Sequence, residues 1–168
     1  MEENKKGLQV FHEYKNKILE ALVSADDDLV RAIANSTVNF MDTPVDNPAV
    51  LVYTQIFPFK WTGMDVLEEK QVYITMSFAV DRVEGGYFNE IIFTIYVIVH
   101  KDLMRISHNG VNKLRTDFIC EKIEELFSKS SDFGIGKLEM IGVGEVFVAK
   151  DLPGAFLTFR TVDQARKP

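Results

Sequence analysis

The sequence has little that could cross-link the chain or place it in a membrane. Cys120 is the only cysteine among 168 residues, so no internal disulfide can form, and this composition favours a reducing compartment. The most apolar stretch, Ile91 to Val99, is far shorter than the roughly 20 residues of a membrane-spanning helix. The N-terminal stretch carries Glu and Lys where a signal peptide has an apolar segment. We therefore expect synthesis in the cytoplasm and no membrane crossing.

Positive charge is also scarce. The chain has 19 Lys and Arg against 25 Asp and Glu, a net charge of −6, with no stretch dense in Lys or Arg. Proteins that hold nucleic-acid backbones need basic surfaces, so sequence-specific nucleic-acid binding is not expected. The 46% of hydrophobic residues predicts a chain that folds into a globular structure.

Residue patterns typical of a catalytic or metal site are missing as well. The histidines, His12, His100 and His108, fall on different predicted elements and have no partner at a metal-ligand spacing. Asp26 to Asp28 lack the glycine and glutamate of a calcium-binding loop, so they read as a solvated helix start. Cys120, among apolar neighbours, is expected to be buried and unreactive. We therefore predict no catalytic residue, no metal site, no cofactor and no enzymatic activity.

The hydrophobic periodicity predicts an α+β fold with a mostly antiparallel sheet and one helix packed on it. Residues 1–168 are expected to form one domain, with an N-terminal helical segment at 1–43, a sheet-and-helix core at 49–163 and a frayed tail at 164–168. The helices are expected at Leu8 to Val23, from a Ser24 cap to Asn35, and at Leu114 to Phe127. Besides the hairpin below, strands are expected near Ala49 to Phe57, Leu138 to Val148 and Ala155 to Val162.

A long β-hairpin over Val72 to Val99 is the most informative feature of the sequence. Gly85-Gly86 can adopt the backbone angles of a tight turn between two alternating runs. If Glu84 faces Tyr87, apolar residues meet on one face in five successive pairs, namely Val80–Ile91, Phe78–Phe93, Met76–Ile95, Ile74–Val97 and Val72–Val99. Near the tip the same register places Asp81 opposite Glu90, a like-charge pair that requires solvent or another chain.

The other face of this hairpin is too apolar for simple exposure to solvent. Either the protein's own helices cover it or it forms a subunit interface, and the sequence leaves both alternatives open. The hairpin strands are also long, roughly 40 Å, so the hairpin either crosses the whole fold or extends as an arm. The candidate subunit-interface residues are Tyr73, Ile92, Tyr96, Ile98, Phe57, Phe59 and Trp61.

The order of segments resembles a known group of phage proteins. A helical start is followed by a strand ending in IFPFKW, the long hairpin, the stretch HKDLMRISHNGVNKLRTDFICEKIEELF and a closing GAFLTFRTVD. The more specific features are Arg115-Thr116-Asp117 at the start of a helix and Gly154 before the strand LTF. This arrangement resembles phage neck and tail-completion proteins of the tail-terminator or head-tail joining group.

The resemblance implies a structural protein of the virion that forms an oligomeric ring at the neck or the top of the tail. It implies a hexamer or dodecamer that contacts other neck and tail proteins and lets DNA pass through. The alternative is a soluble adaptor or assembly chaperone that binds a partner chain through the hairpin. Stable incorporation into the finished particle distinguishes the first hypothesis from the second.

Overall fold

The computed structural model describes residues 7–60, 69–82, 88–108, 111–130, 133 and 138–164. Three helices are present in this part of the chain: α1 (Gly7–Val23), α2 (Asp27–Ala34) and α3 (Arg115–Ser128). The strands are β1 (Ile56–Phe57), β2 (Val72–Arg82), β3 (Phe88–Val99), β4 (Arg105–His108), β5 (Val111–Leu114), β6 (Glu139–Ala149) and β7 (Leu152–Gln164). The predicted α+β class is confirmed.

Five strands form one sheet in the order β1-β2-β3-β7-β6, and β4 pairs with β5 in a separate two-stranded hairpin. All neighbours in the large sheet are antiparallel except β1 and β2, which run parallel. The long strand β7 lies between β3 and β6, so the two hairpins of the sheet are joined through it. Strand β6 is consequently an edge strand, and the very short β1 lies at the opposite edge.

The register predicted for the long hairpin is confirmed. Every apolar pair from Val72–Val99 to Val80–Ile91 is present, and Asp81 lies opposite Glu90. The Gly85-Gly86 turn and the Glu84–Tyr87 pair lie outside the described residues. Because side chains alternate along a strand, this register directs one apolar row of each strand to the same side of the sheet.

That side, the inner face, packs against the helices. One core cluster combines helix residues such as Ile18, Leu29 and Ile123 with sheet residues such as Ile74 and Val97. Aromatic rings fill its centre. Phe93 stacks on Phe159 with ring centroids 5.2 Å apart, and Phe127 meets both rings edge-on at 5.8 and 5.5 Å. The N-terminal helices therefore share a core with the sheet.

The cap of α2 differs from the prediction. The N-terminal cap is Asp26 and not Ser24, because the Asp26 carboxylate accepts the backbone N–H of Leu29 at 2.9 Å. A carboxylate at this position satisfies a helix donor and also interacts favourably with the positive end of the helix dipole. Lys122 of α3 contacts the same carboxylate at 2.9 Å, which connects the two helices at the surface.

The strand expected from Ala49 to Phe57 is largely wrong. Residues Pro48–Leu51 form a 3-10 helix whose first turn is capped by the Asn47 side chain, and only Ile56–Phe57 is strand. Proline has no N–H and a fixed φ, which suits a helical first turn better than a strand. Tyr53 has a φ of 64°, in the left-handed region, within the turn that precedes β1. The strands β4 and β5 were not anticipated. At the C-terminus, Gln164 belongs to β7 and the rest of the expected tail lies outside the described residues.

The fully buried Arg115 ties the helices together. Its guanidinium donates to the carbonyl oxygen of Ala32 through Nε at 3.0 Å and Nη2 at 2.8 Å. It also donates to Thr37 at 2.8 Å and to the Asn35 carbonyl. Its charged carbon lies 4.4 Å from the Phe40 ring centre. The first residue of α3 thus satisfies the carbonyls at and beyond the end of α2, where the helix dipole favours a cation.

Replacing Arg115 with methionine should lower the free energy of unfolding by about 3 kcal/mol, because three buried or part-buried carbonyls lose their donor. Arg115→Lys should lose nearly as much, since an ammonium cannot reproduce the planar fork. The matched control is Arg105→Met at an exposed arginine, expected to change stability by less than about 0.5 kcal/mol. Urea denaturation followed by circular dichroism measures all three. Equal stability of the Arg115 and Arg105 variants would contradict the assigned role.

Gly154 allows β7 to approach β3 closely. A Cβ added there would overlap the Val97 carbonyl oxygen and lie 3.2 Å from the Ile98 Cα, so the neighbours in the way include backbone atoms. At Gly142 the same addition meets only the Thr158 side chain, at 3.6 Å or more. Both glycines lie in the sheet, but only at Gly154 does the close approach of a neighbouring strand require a residue without a side chain.

Gly154→Ala should destabilise the protein by about 1–3 kcal/mol, because β3 and β7 would have to separate. Gly142→Ala meets ordinary contact distances and should change stability by less than about 0.5 kcal/mol. Thermal denaturation of the two variants beside the wild type gives the comparison. A Gly154→Ala protein as stable as Gly142→Ala would show that the sheet relaxes freely at this point.

Candidate functional site

The face of the sheet opposite the helices, here called the outer face, carries those interface residues predicted from sequence that the structure describes. At one end Tyr73 and Ile98 are buried in a small cluster with Leu152, against which Phe57 is partly buried. The turn between β6 and β7 supplies Leu152, so the protein's own chain covers this end. Tyr73 and Ile98 therefore contribute to internal packing, and the candidate contact area shifts toward the middle of the face.

The middle of the outer face is half-open. Ile92 and Tyr96 are half-buried, and the Lys60 ammonium lies 5.8 Å from the Tyr96 ring centre. Phe59 is 44% exposed and contacts Phe57 with ring centroids 5.8 Å apart. Trp61 lies outside the described residues. The helices pack on the inner face, and the residues brought together here come from strands and the segment after β1.

The like-charge pair near the hairpin tip has a countercharge within the same chain. Arg160 of β7 lies 3.6 Å from the Glu90 carboxylate and 2.6 Å from that of Glu139 on β6. A cation shared between two carboxylates reduces the repulsion that the Asp81–Glu90 pairing creates. Arg160 therefore supplies positive charge to the described carboxylates at this end of the sheet.

The most exposed apolar surface was not predicted, and it lies on the edge strand β6. Val143 is 62% exposed and Phe147 71% exposed, and both point to the same side as the helices. Met140 lies in the same row, and Ile141 is exposed beside it. We call these four residues, together with the exposed Leu114 before α3, the β6 surface. Its residues are apolar in sequence, but only the strand order reveals that none of the described helices covers them.

Two irregularities shape the free edge of β6. The pairing with β7 shifts between Met140 and Gly142 and again between Phe147 and Ala149. The exposed Glu145 also interrupts the apolar row. Bulges and charges on an edge strand oppose the addition of a further strand. A partner on this surface would therefore bind mainly through side chains.

A groove of about 410 Å³ adjoins the β6 surface, here called the β6 groove. It lies between the start of α3 and the paired ends of β6 and β7. Its wall is mostly apolar and its rim carries the exposed carboxylates of Asp117 and Glu145. Its apolar lining residues are Met104, Leu114, Val146, Phe147, Pro153 and Ala155.

Within the described part of the chain, no group of three or more His, Cys, Asp or Glu is placed to hold a metal ion. His100 directly follows β3, is buried, and accepts the backbone N–H of Asp102 through Nδ1 at 3.2 Å. Burial raises the pKa of Cys120 from its ordinary 9.0 to about 12, with smaller contributions from the charges of Asp117 and Glu121. These surroundings give His100 a structural contact and keep the Cys120 thiol protonated.

Cys120 should react very slowly with thiol reagents in the folded protein. A pKa of about 12 lowers the thiolate fraction at neutral pH roughly 1,000-fold relative to 9.0, and burial restricts access further. Because Cys120 is the only cysteine, a disulfide reagent gives one signal, and the urea-unfolded chain is the control. Fast labelling of the native protein would show that α3 opens readily.

No helix among the described residues is long and apolar enough to cross a membrane. The YomW family model matches residues 26–161, which extend from the cap of α2 through most of β7. The chain therefore belongs to the YomW family. The name YomW is that of a Bacillus prophage protein, and the chain is phage-associated. No curated protein matches the chain.

Proposed function

We propose that this phage-associated protein is a structural component of the virion that forms an oligomeric ring at the neck or the top of the tail, as a tail terminator or head-tail connector. The observation that carries the proposal is the β6 surface. Val143 and Phe147 lie on the same side of β6, one on each side of Glu145, with more than half of each side chain exposed, and Met140 and Ile141 are exposed near Val143. Exposed apolar residues gathered on one strand in this way mark protein–protein contacts.

The size of this surface supports a contact between folded subunits. Its five exposed side chains offer on the order of 400–500 Å² of mainly apolar area, and a standard interface buries about 800 Å² per partner. The rim of the β6 groove and the half-open middle of the outer face would supply further area. An apolar centre with a polar rim is the usual arrangement of a stable interface.

The proposed role is non-enzymatic. Cys120 is buried and its pKa is raised, and His100 accepts a backbone N–H. Both side chains therefore serve the packing of the fold. The net charge of −6 would let DNA pass through a ring without adhering to it. The proposed partners are copies of the same chain and other neck and tail proteins, with assembly in the host cytoplasm.

The β6 groove favours a second hypothesis, a soluble adaptor or assembly chaperone. Its apolar wall and acidic rim could receive a segment of a partner chain that is released during assembly. Purified particles distinguish the two roles. A protein retained in finished particles at a fixed stoichiometry is structural, whereas one found only in assembly intermediates is a chaperone.

Val143→Lys should prevent assembly, because a charge placed at the centre of the interface would lose its solvation. The matched control is Val50→Lys at a valine that is 57% exposed outside the β6 surface. Light scattering coupled to size exclusion should give a closed oligomer for the wild type and the control and a monomer for Val143→Lys. Electron microscopy of the wild type should show rings. A strictly monomeric wild type that is missing from purified particles would refute the proposal.

A further inference from the structure

The β6 groove combines an apolar wall with negative charge that the described chain does not neutralise. Asp117 and Glu145 on its rim are exposed, and neither forms an ion pair with another described residue. Leu114 and Phe147 stand exposed beside them. A ligand matching this groove carries Lys or Arg close to small apolar residues that can lie on the Phe147 ring.

Such a segment follows β7 in this sequence. Residues 165–168 read Ala-Arg-Lys-Pro, with Arg166 and Lys167 only two and three positions beyond Gln164. No acidic residue falls among these four. Their two cations match the two rim carboxylates in number and sign, and Ala165 and Pro168 are compact apolar residues.

The groove of the same chain is out of reach of these cations. Gly154 of the groove pairs with Ile98, while Gln164 pairs with Phe88 at the far end of the sheet. Ten residues of strand separate Gly154 from Gln164, roughly 33 Å. Lys167 can extend only about 10 Å beyond Gln164. Only the groove of another copy can receive this segment.

We propose that the β6 groove binds residues 165–168 of a second copy of this chain. The groove lies at the start of β7 and the segment follows its end. Each copy would therefore contribute its segment to one neighbour and its groove to another. Such a head-to-tail contact is heterologous, and it generates a ring when the rotation between neighbours closes. The proposal rests on the ring assembly described above and identifies the contact that builds it.

Charge reversal tests the contact in the full chain. Arg166→Glu with Lys167→Glu should raise the dissociation constant of the oligomer about tenfold or more at low salt, and so should Asp117→Lys with Glu145→Lys. A chain carrying all four reversals should recover assembly, because its segment and groove are complementary again. Glu124→Lys in α3 with Lys129→Glu directly after it, both at exposed positions outside this groove, is the control and should assemble normally.

A binding measurement separates this inference from the ring itself. A labelled peptide of residues 160–168 is titrated against the wild type and against the groove-reversed chain. Saturable binding to the wild type that the groove reversal weakens supports the contact, even if no ring forms and the proposed function fails. Rings that tolerate both reversals, with no peptide binding, overturn the contact and leave the proposed function standing.

Discussion

The buried guanidinium of Arg115 is the constraint on which the arrangement of the helices depends. It connects the first residue of α3 to the carbonyl of Ala32, which lies 83 positions earlier in the chain. No carboxylate supplies the countercharge among its described contacts; three carbonyl dipoles and the Phe40 ring do so. Burial lowers the pKa of Arg115 to about 10, so the cation persists at neutral pH. A buried charge that contacts only carbonyls requires α2, the following turn and α3 to keep their relative positions, because a displacement would leave the charge without these partners.

This anchor also decides which part of the sheet remains exposed. With α3 fixed against α2, its apolar side reaches Phe93 of β3 and Phe159 of β7. Strand β6 lies one position farther out, so Val143 and Phe147 point to the helix side, where no helix of the described chain packs over them. The exposed apolar surface is thus a consequence of the described helices packing over the centre of the sheet and not over its β6 edge. A second copy of the chain is the partner that we propose to cover it.

The sequence predicted the features that depend on short-range pattern. The register from Val72 to Val99 follows from period-two alternation, because a one-residue shift would have misaligned all five apolar pairs. The α2 cap and the Pro48–Leu51 turn were misassigned because neighbouring residues offered two acceptable solutions, and local hydrogen bonds decided between them. Arg115 stood out in the sequence only through a resemblance, and its burial depends on contacts 80 residues away. The exposure of Phe147 depends on strand order, which no local pattern contains.

The irregular edge of β6 opposes open-ended assembly through strand pairing. A regular, apolar edge strand would accept further strands without a natural end, which leads to fibres. The two register shifts and Glu145 oppose that mode while leaving the apolar side chains available. Side-chain contacts in a shaped groove define one orientation between neighbours, and a repeated rotation of one value either closes or continues as a helix. A sheet edge that resists extension therefore opposes growth through strand pairing and leaves the side chains of the β6 surface as the available contacts.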